Sequence, residues 1–245
     1  MCATQFEFRY RFWIFGLIFF LGFFLYNVDR VNTGDAILHL FAPGMDLNSA
    51  QGNTLLRIVF AAATLLIAGA ALFRTWATAF LHTTVVHDMR QHSDRVVADG
   101  PYRYTRNPLY FANLFLAFGC GLFASRLGLL FMVLAMFVFD YRLILREEAS
   151  LRESQGVAYA RYLAAVPRLL PSLRRRLEPS GARPQWRQAL LGESMFWMFA
   201  LGSLLFAITL NMRIAGPLFA LSFIVYFAAI YAVKKRAVRS AARNQ

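Results

Sequence analysis

The segment GPYRYTRNPLY, residues 100–110, passes directly from a polar stretch with two arginines and several aromatic side chains into an apolar helical pattern. Proline is favoured in the first turn of a helix, and the residue before a proline is biased toward extended backbone. We therefore predict that a helix begins at Pro108 and that residues 100–107, called the motif loop below, precede its first turn. Because the following run is apolar, the loop is expected at a membrane surface.

The composition supports this expectation. The chain has 245 residues, of which 58% are hydrophobic and 16% charged, and its mean hydropathy is +0.47. These values are too apolar for a soluble domain of this length. The formal charge of +13 could suggest nucleic acid, but the basic residues stand beside apolar runs instead of forming a separate basic domain. We expect them to contact anionic lipid headgroups and expect no nucleic acid partner.

Several apolar runs have about the length, ~20 residues, that a helix needs to cross a ~30 Å hydrocarbon core. They predict an all-α, polytopic membrane protein with about six transmembrane helices, the first one uncleaved. The runs are 11–28, 54–73, 108–124, 127–145, 189–210 and 214–233.

Positive charge is unevenly distributed over the connections between these runs. Arginine and lysine cluster before the first run, between the second and third, after the fourth and at the end of the chain, whereas the other connections are poor in them. The positive-inside rule then places both termini in the cytoplasm. The corresponding units are N-terminal helices in 1–84, a catalytic core in 85–171, a basic linker in 172–188, and C-terminal helices with a basic tail in 189–245.

The third and fourth runs are joined by only a few residues around Ser125. Such a short connection forces an antiparallel helical hairpin, whose open ends both return to the cytoplasmic face. One end carries residues 106–108 and the other carries residues 146–148, so these segments should meet in space. The helical pattern then continues to a break at Gly156 and ends before Pro167.

Charged side chains at the inner end of the fourth run are candidates for a site, since burying them in a membrane is costly. Helical spacing puts Asp140 and Glu147 on one face and Arg142 and Arg146 on an adjacent stripe. Alternatively, these charges extend to lipid headgroups or pair with each other.

Several other candidates have equally ordinary explanations. Glu148 and Arg152 have the spacing of a surface ion pair on a helix. Tyr102 and Tyr104 could be interfacial anchors, and Tyr159 could pack against the membrane face.

The remaining motifs are weak or missing. His87, Asp88 and His92 resemble a metal cluster only faintly, so no metal is expected, and Cys2 and Cys120 form no disulfide framework. The chain also has no Walker loop and no standard hydrolase motif.

Taken together, the motif loop, the Arg146-Glu147-Glu148 segment, Gly156 and the Val166-Pro167-Arg168 segment resemble the isoprenylcysteine carboxyl methyltransferase family and its phospholipid methyltransferase relatives. The resemblance covers roughly 95–171. It implies S-adenosylmethionine as cofactor at the cytoplasmic face and a lipophilic acceptor that enters from the bilayer.

The site residues are predicted from this resemblance together with the chemistry of methyl transfer. Arg106, Arg146 and Glu147 are predicted to be catalytic, and no metal ligand is predicted. The predicted cofactor-binding residues are Tyr102, Tyr104, Arg106, Asn107, Pro108, Tyr110, Glu147, Glu148 and Tyr159. The family often has histidine where this chain has Asn107. Asparagine can still donate and accept hydrogen bonds, but it cannot shuttle a proton in the same way.

The chemistry of methyl transfer distinguishes the possible acceptors. Transfer from a sulfonium to a carboxylate neutralises two opposite charges, so it needs water exclusion and alignment more than a base. Arg106 or Arg146 could orient the carboxylate. An amine acceptor would need a base, for which Glu147 or Asp140 is available. The arginine-rich rim favours the carboxylate, as in isoprenylcysteine O-methylation, while other lipophilic acids, phospholipid amines and thiols stay open.

Two other classes of function are compatible with parts of the pattern. Membrane sterol or steroid reductases, which use NADPH, carry a similar Arg-x-Pro-x-Tyr signature. A small transporter or membrane scaffold could also use the charges near Asp140, but it would be expected to have polar residues in more of its spans. The oligomeric state is not predicted.

Overall fold

The computed structural model describes residues 2–81, 99–178 and 181–243, although side chains are described only up to residue 228 and at Tyr231. Every regular element in these residues is helical. The α-helices are α1 Gln5–Arg9, α2 Arg11–Phe24, α3 Thr33–Phe41, α4 Ala50–Leu81, α5 Pro108–Gly121, α6 Arg126–Ala165, α7 Trp186–Gly192, α8 Ser194–Thr209 and α9 Met212–Arg243. Short 3-10 helices occupy Leu25–Asn27 and Gly100–Arg103. The predicted all-helical class is confirmed for the described residues.

The helical hairpin predicted from the short connection is present as α5 and α6. Its turn is closed by Ser125, whose side chain accepts a hydrogen bond from the backbone N–H of Gly128 at 3.1 Å and caps the start of α6. The start of α3 contacts this turn, because Thr33 N–H donates to the Ala124 carbonyl at 2.9 Å. Asp29 adds an ion pair with Arg126 at 2.9 Å.

The hairpin packs against α2 on one side and α4 on the other. Ile67 of α4 and Met132, Leu143 and Ile144 of α6 lie in one core cluster and are fully buried. Gly119 permits α4 and α5 to approach closely, since a Cβ atom there would lie 2.8 Å from Ile67 Cγ1. The C-terminal helices complete the bundle, with α8 against α4 and α9 against α8.

All six apolar runs fall on helices, but the number of membrane crossings is supported only in part. Among the described residues, α4 and α6 are long and apolar enough to span a bilayer. The pair α7 and α8, bent by 62°, qualifies if it is counted as one span. The remaining apolar helices, Arg11–Asn27, Pro108–Gly121 and Met212–Ala228, are shorter. Two or three spans are therefore supported by length and composition, whereas six crossings and the cytoplasmic placement of the termini stay predictions.

Helix α6 breaks at Gly156, as predicted. This glycine has φ 54° and ψ −126°, a backbone conformation that residues with a side chain rarely adopt. After the break the helix turns Tyr159 and Tyr162 into a small buried cluster with Val166.

The chain that follows α6 runs back over the motif loop. Backbone N–H groups of Ser172 and Arg176 donate to the carbonyls of Tyr104 and Arg103 at 2.9 and 3.0 Å. Further along, Gln185 N–H donates to the Ala79 carbonyl at the end of α4. Part of the predicted basic linker is thus hydrogen-bonded to the loop, while the proposed domain boundaries stay predictions.

Candidate active site

The motif loop is rigidly attached to the start of α5. Asn107 is the residue that precedes the helix, Pro108 occupies its first turn as predicted, and both are buried. Thr105, also buried, donates its hydroxyl to the carbonyl of Leu169 at 2.9 Å. Tyr102 is buried too, and its burial raises the pKa of its phenol.

Glu148 is the residue on which the two ends of the hairpin converge. Its Oε1 atom accepts hydrogen bonds from Arg106 Nε at 3.0 Å and from Asn107 Nδ2 at 3.2 Å. Its Oε2 atom accepts one from Arg168 Nε at 3.1 Å, and this bond raises the pKa of Arg168. The predicted meeting of residues 106–108 with residues 146–148 is therefore observed. The surface pair of Glu148 with Arg152 is not: Glu148 is 4% exposed and its ion pairs are with Arg106 and Arg168.

Most of the hydrogen-bond donors of Arg106 bind other groups of the protein. Besides Glu148, its Nη1 atom donates to the carbonyls of Leu163 and Val166 at 2.6 and 3.0 Å. Its backbone N–H donates to the Pro167 carbonyl. These bonds attach the motif loop to the end of α6. The predicted catalytic role of Arg106 stays a prediction, but in this arrangement its main contacts are structural.

A second set of contacts runs along the interior of the hairpin. The Tyr110 hydroxyl donates to Glu147 Oε1 at 2.8 Å, and Asn113 Nδ2 donates to Asp140 Oδ1 at 3.3 Å. Tyr110 and Asn113 lie one turn apart on α5, and their partners lie two turns apart on α6. The predicted shared face of Asp140 and Glu147 is confirmed by this pairing.

Asp140 and Glu147 differ in their surroundings. Asp140 is 1% exposed, and its Oδ2 atom is buried with no hydrogen-bond partner within the described part of the chain. Glu147 is only half-buried. A buried carboxylate oxygen without a partner is costly, so a cationic or hydrogen-bonding ligand would be stabilised beside it.

Arg142 and Arg146 face a different part of the molecule from the acidic pair. Arg142 Nη2 lies 2.8 Å from Glu7 Oε2. Arg146 donates to the Ala3 carbonyl at 3.0 Å, and its guanidinium lies 5.5 Å from the Phe8 ring. The N-terminal segment, rather than lipid headgroups or the neighbouring acids, is their observed partner. The catalytic role predicted for Arg146 is not tested by these contacts.

The remaining predicted tyrosines lie in the motif loop or in the last part of α6, which contacts the loop. Tyr162 donates its hydroxyl to the Tyr102 carbonyl at 2.8 Å. Tyr159 is 3% exposed and its ring lies 5.8 Å from that of Tyr162. Tyr104 is half-buried, with its ring 6.0 Å from that of Trp76. Tyr102 is thus enclosed by protein and is not an interfacial anchor, and Tyr159 packs inside the protein. Contact with a cofactor stays a prediction for Tyr102, Tyr104 and Tyr159.

The sequence did not identify Arg74, Asn113 and Glu193 as residues of this region, and it identified Arg168 only as part of the resemblance. Arg74 and Glu193 form a buried ion pair at 2.6 Å next to Asn113. The rule that singled out Asp140, that ionisable residues in apolar runs are costly, could equally have identified Glu193.

No group of three or more metal-ligating side chains occurs in residues 2–81, 99–178 and 181–243. The weak cluster of His87, Asp88 and His92 lies outside the described residues, as does the part of the predicted core before Asp99.

The site lies within a region that comparison with known protein families identifies. The family model described as phospholipid methyltransferase matches residues 58–156. This stretch contains most of α4, the motif loop, α5 and α6 as far as the break at Gly156. No curated protein and no solved structure gives a significant match. Over residues 58–156, which hold the two converging ends of the hairpin, the chain is therefore similar to phospholipid methyltransferases.

Proposed function

We propose that the protein is an integral membrane methyltransferase that uses S-adenosylmethionine and methylates a lipophilic acceptor. The observation that carries the proposal is the convergence of the motif loop on Glu148, and of Tyr110 at the start of α5 on Glu147, at the open end of an apolar hairpin. This convergence lies inside the family match. An acceptor dissolved in the bilayer could reach such a site from the side of the hairpin.

The side chains present fit the proposed cofactor. S-adenosylmethionine carries a sulfonium and an ammonium group, both of which need negative charge or electron-rich rings nearby. Half-buried Glu147, the Tyr110 ring beside it and the partnerless oxygen of Asp140 offer these features. Glu148 instead has a structural role beside these groups, because both of its oxygens accept hydrogen bonds from Arg106, Asn107 or Arg168.

When bound, the cofactor supplies an electrophilic methyl group on a positively charged sulfur. The contribution of the chain is alignment and the exclusion of water. The buried apolar core around Leu143 and Ile144 limits the access of water to the hairpin, and exclusion of water strengthens electrostatic interactions in a site. The Glu148 contacts hold the loop and α6 in one arrangement, and such alignment can contribute on the order of 7–11 kcal/mol.

The sequence predicted a carboxylate acceptor of the isoprenylcysteine type. An amine acceptor is the second candidate, and the contacts favour it. Arg106, which was expected to orient a carboxylate, is occupied by Glu148 and two backbone carbonyls. Asp140 and Glu147, by contrast, line the hairpin and could accept the proton that an amine must lose.

The test is to incubate the purified protein with methyl-labelled S-adenosylmethionine and a membrane lipid extract, then identify the labelled product. A labelled lipophilic product supports the proposal. Treatment with base separates the two acceptors, because a methyl ester releases labelled methanol and a methylated amine keeps its label. If no product is labelled and NADPH rather than S-adenosylmethionine raises the Tm, the reductase alternative replaces the proposal. Ligand at a hundred times its Kd stabilises by ~2.7 kcal/mol, which a thermal shift can detect.

A further inference from the structure

Polar side chains from four helical segments meet inside the bundle, beside the candidate active site. Glu193, between α7 and α8, is completely buried. Its Oε2 atom accepts a hydrogen bond from Arg74 Nε of α4 at 2.6 Å, and its Oε1 atom accepts one from the Thr78 hydroxyl at 2.6 Å. The Arg74 guanidinium also lies 4.2 Å from the ring of Phe196 on α8. The ion pair between Arg74 and Glu193 therefore connects the C-terminal helices to α4.

This cluster continues into the hairpin through Asn113. Arg74 Nη1 donates to Asn113 Oδ1 at 2.6 Å, and Asn113 Nδ2 donates to Asp140 Oδ1 at 3.3 Å. Because a guanidinium can only donate, it fixes the amide oxygen on its own side and directs the amide NH2 toward Asp140. A chain of four side chains thus ends on the carboxylate whose other oxygen is buried and partnerless.

Stability alone does not account for this arrangement. Taking two charges into a buried site is costly, and replacing a buried ion pair by apolar residues of similar volume is often neutral or stabilising. Arg74 and Glu193 are 8% and 0% exposed, so the cost applies to both. What the pair adds that an apolar pair could not is a fixed orientation for Asn113 and, through it, for Asp140.

We propose that Glu193 and Arg74 are positioning residues that act through Asn113 to orient Asp140 toward the ligand in the methyl-transfer site. The inference rests on the proposed function, and it gives the C-terminal helices α7 and α8 a part in that function. Asp140 is the residue that contacts the ligand, whereas the other three hold it in place. Displacement of a reacting group by about 1 Å can lower a rate about a hundredfold.

The first test uses a double variant that combines Arg74→Met and Glu193→Leu. Its kinetics are compared with those of Asp140→Asn. Replacing both charges avoids the unpaired buried charge that a single substitution would leave, so the double variant is expected to fold with a Tm close to that of the wild type. We expect its kcat to fall on the order of a hundredfold, as in Asp140→Asn. Adding Asp140→Asn to it should cause no further loss, because residues that act as one unit are not additive.

The matched control is Asp29→Asn, which removes an ion pair with Arg126 at the opposite end of the hairpin. It is expected to lower the Tm but to leave kcat unchanged. Wild-type kcat in the folded double variant, or a triple variant in which the two losses multiply, would overturn the inference.

A readout without turnover separates this inference from the proposed function. The carboxyl ¹³C signal of Asp140, assigned by its absence in Asp140→Asn, should shift in the double variant and stay in place in Asp29→Asn. An unmoved signal would overturn the positioning role even if methyl transfer is confirmed. A shifted signal in a protein that neither binds S-adenosylmethionine nor labels lipid would support the link to Asp140 and sink only the proposed function.

Discussion

Arg106 Nε and Glu148 Oε1 lie 3.0 Å apart, although 42 residues separate them in the chain. The contact joins the loop before α5 to the part of α6 that precedes its break at Gly156, and both side chains are largely buried. The open end of the hairpin is therefore closed by a charged contact within the protein.

Replacing Glu148 by alanine should destabilise the fold by about 3–5 kcal/mol, because breaking a buried ion pair leaves its partner charge uncompensated. Here Arg106 and Arg168 would both lose their carboxylate partner. Denaturant or thermal unfolding in detergent measures the loss. Glu153→Ala, on an exposed position of the same helix, is the control and should change little. Equal stability of the two variants would contradict the structural role of Glu148.

Replacing Glu147 by alanine should abolish cofactor binding while the protein stays folded. Glu147 is half-buried and is bonded to the Tyr110 hydroxyl, so its removal breaks no ion pair. Calorimetry with S-adenosylmethionine in detergent checks the binding, and the melting curve checks the fold. Tyr110→Phe keeps the carboxylate and should weaken binding less. Normal binding by the Glu147 variant would remove this residue from the site.

Gly156→Ala should destabilise the region after the break by about 1–3 kcal/mol, the usual cost of a strained backbone conformation. No atom lies within 4 Å of the position that its Cβ would take, so the cost comes from the backbone and not from a clash. Gly69→Ala in α4 is the control, since it also meets no neighbour but has ordinary helical backbone. That change should be neutral or stabilising. Equal effects of both would argue against strain at Gly156.

Acid should release the N-terminal helix from α6. Hydrogen bonds from Arg142, and then from the Thr4 backbone, lower the pKa of Glu7 from 4.5 to about 2. Since the folded-state pKa is depressed, the stabilisation is complete above pH 4.5 and is lost as the pH falls toward 2. The Tm difference between the wild type and Glu7→Gln should therefore shrink over this interval. Glu178→Gln, at an exposed position, serves as control, and a difference that does not change with pH would refute the assignment.

Much of the site could be predicted because it depends on local patterns and on one topological constraint. Pro108 and Gly156 determine the backbone conformation at their own positions. The sequence therefore predicts the start of α5 and the break in α6. The short connection near Ser125 left the chain no alternative to a hairpin, and the meeting of Arg106 with Glu148 followed from it.

Contacts between distant segments could not be predicted in the same way. The partner of Arg142 is Glu7, 135 residues earlier, and no periodicity links the two. Glu193 lies where α7 bends into α8, and an apolar run of ordinary length gives no sign of a bend. The choice of Glu148 rather than Glu147 as the buried residue depends on the rotation of α6 about its axis, which tertiary packing determines.

The hydrogen bonds from Ser172 and Arg176 to the motif loop use main-chain atoms alone. Side-chain identity at these positions is therefore free to drift over evolution with little penalty. Proline is the exception, because it lacks the N–H that each bond requires. Most substitutions of Ser172 and Arg176 should therefore be tolerated, whereas proline should not be. A deep mutational scan would show this pattern.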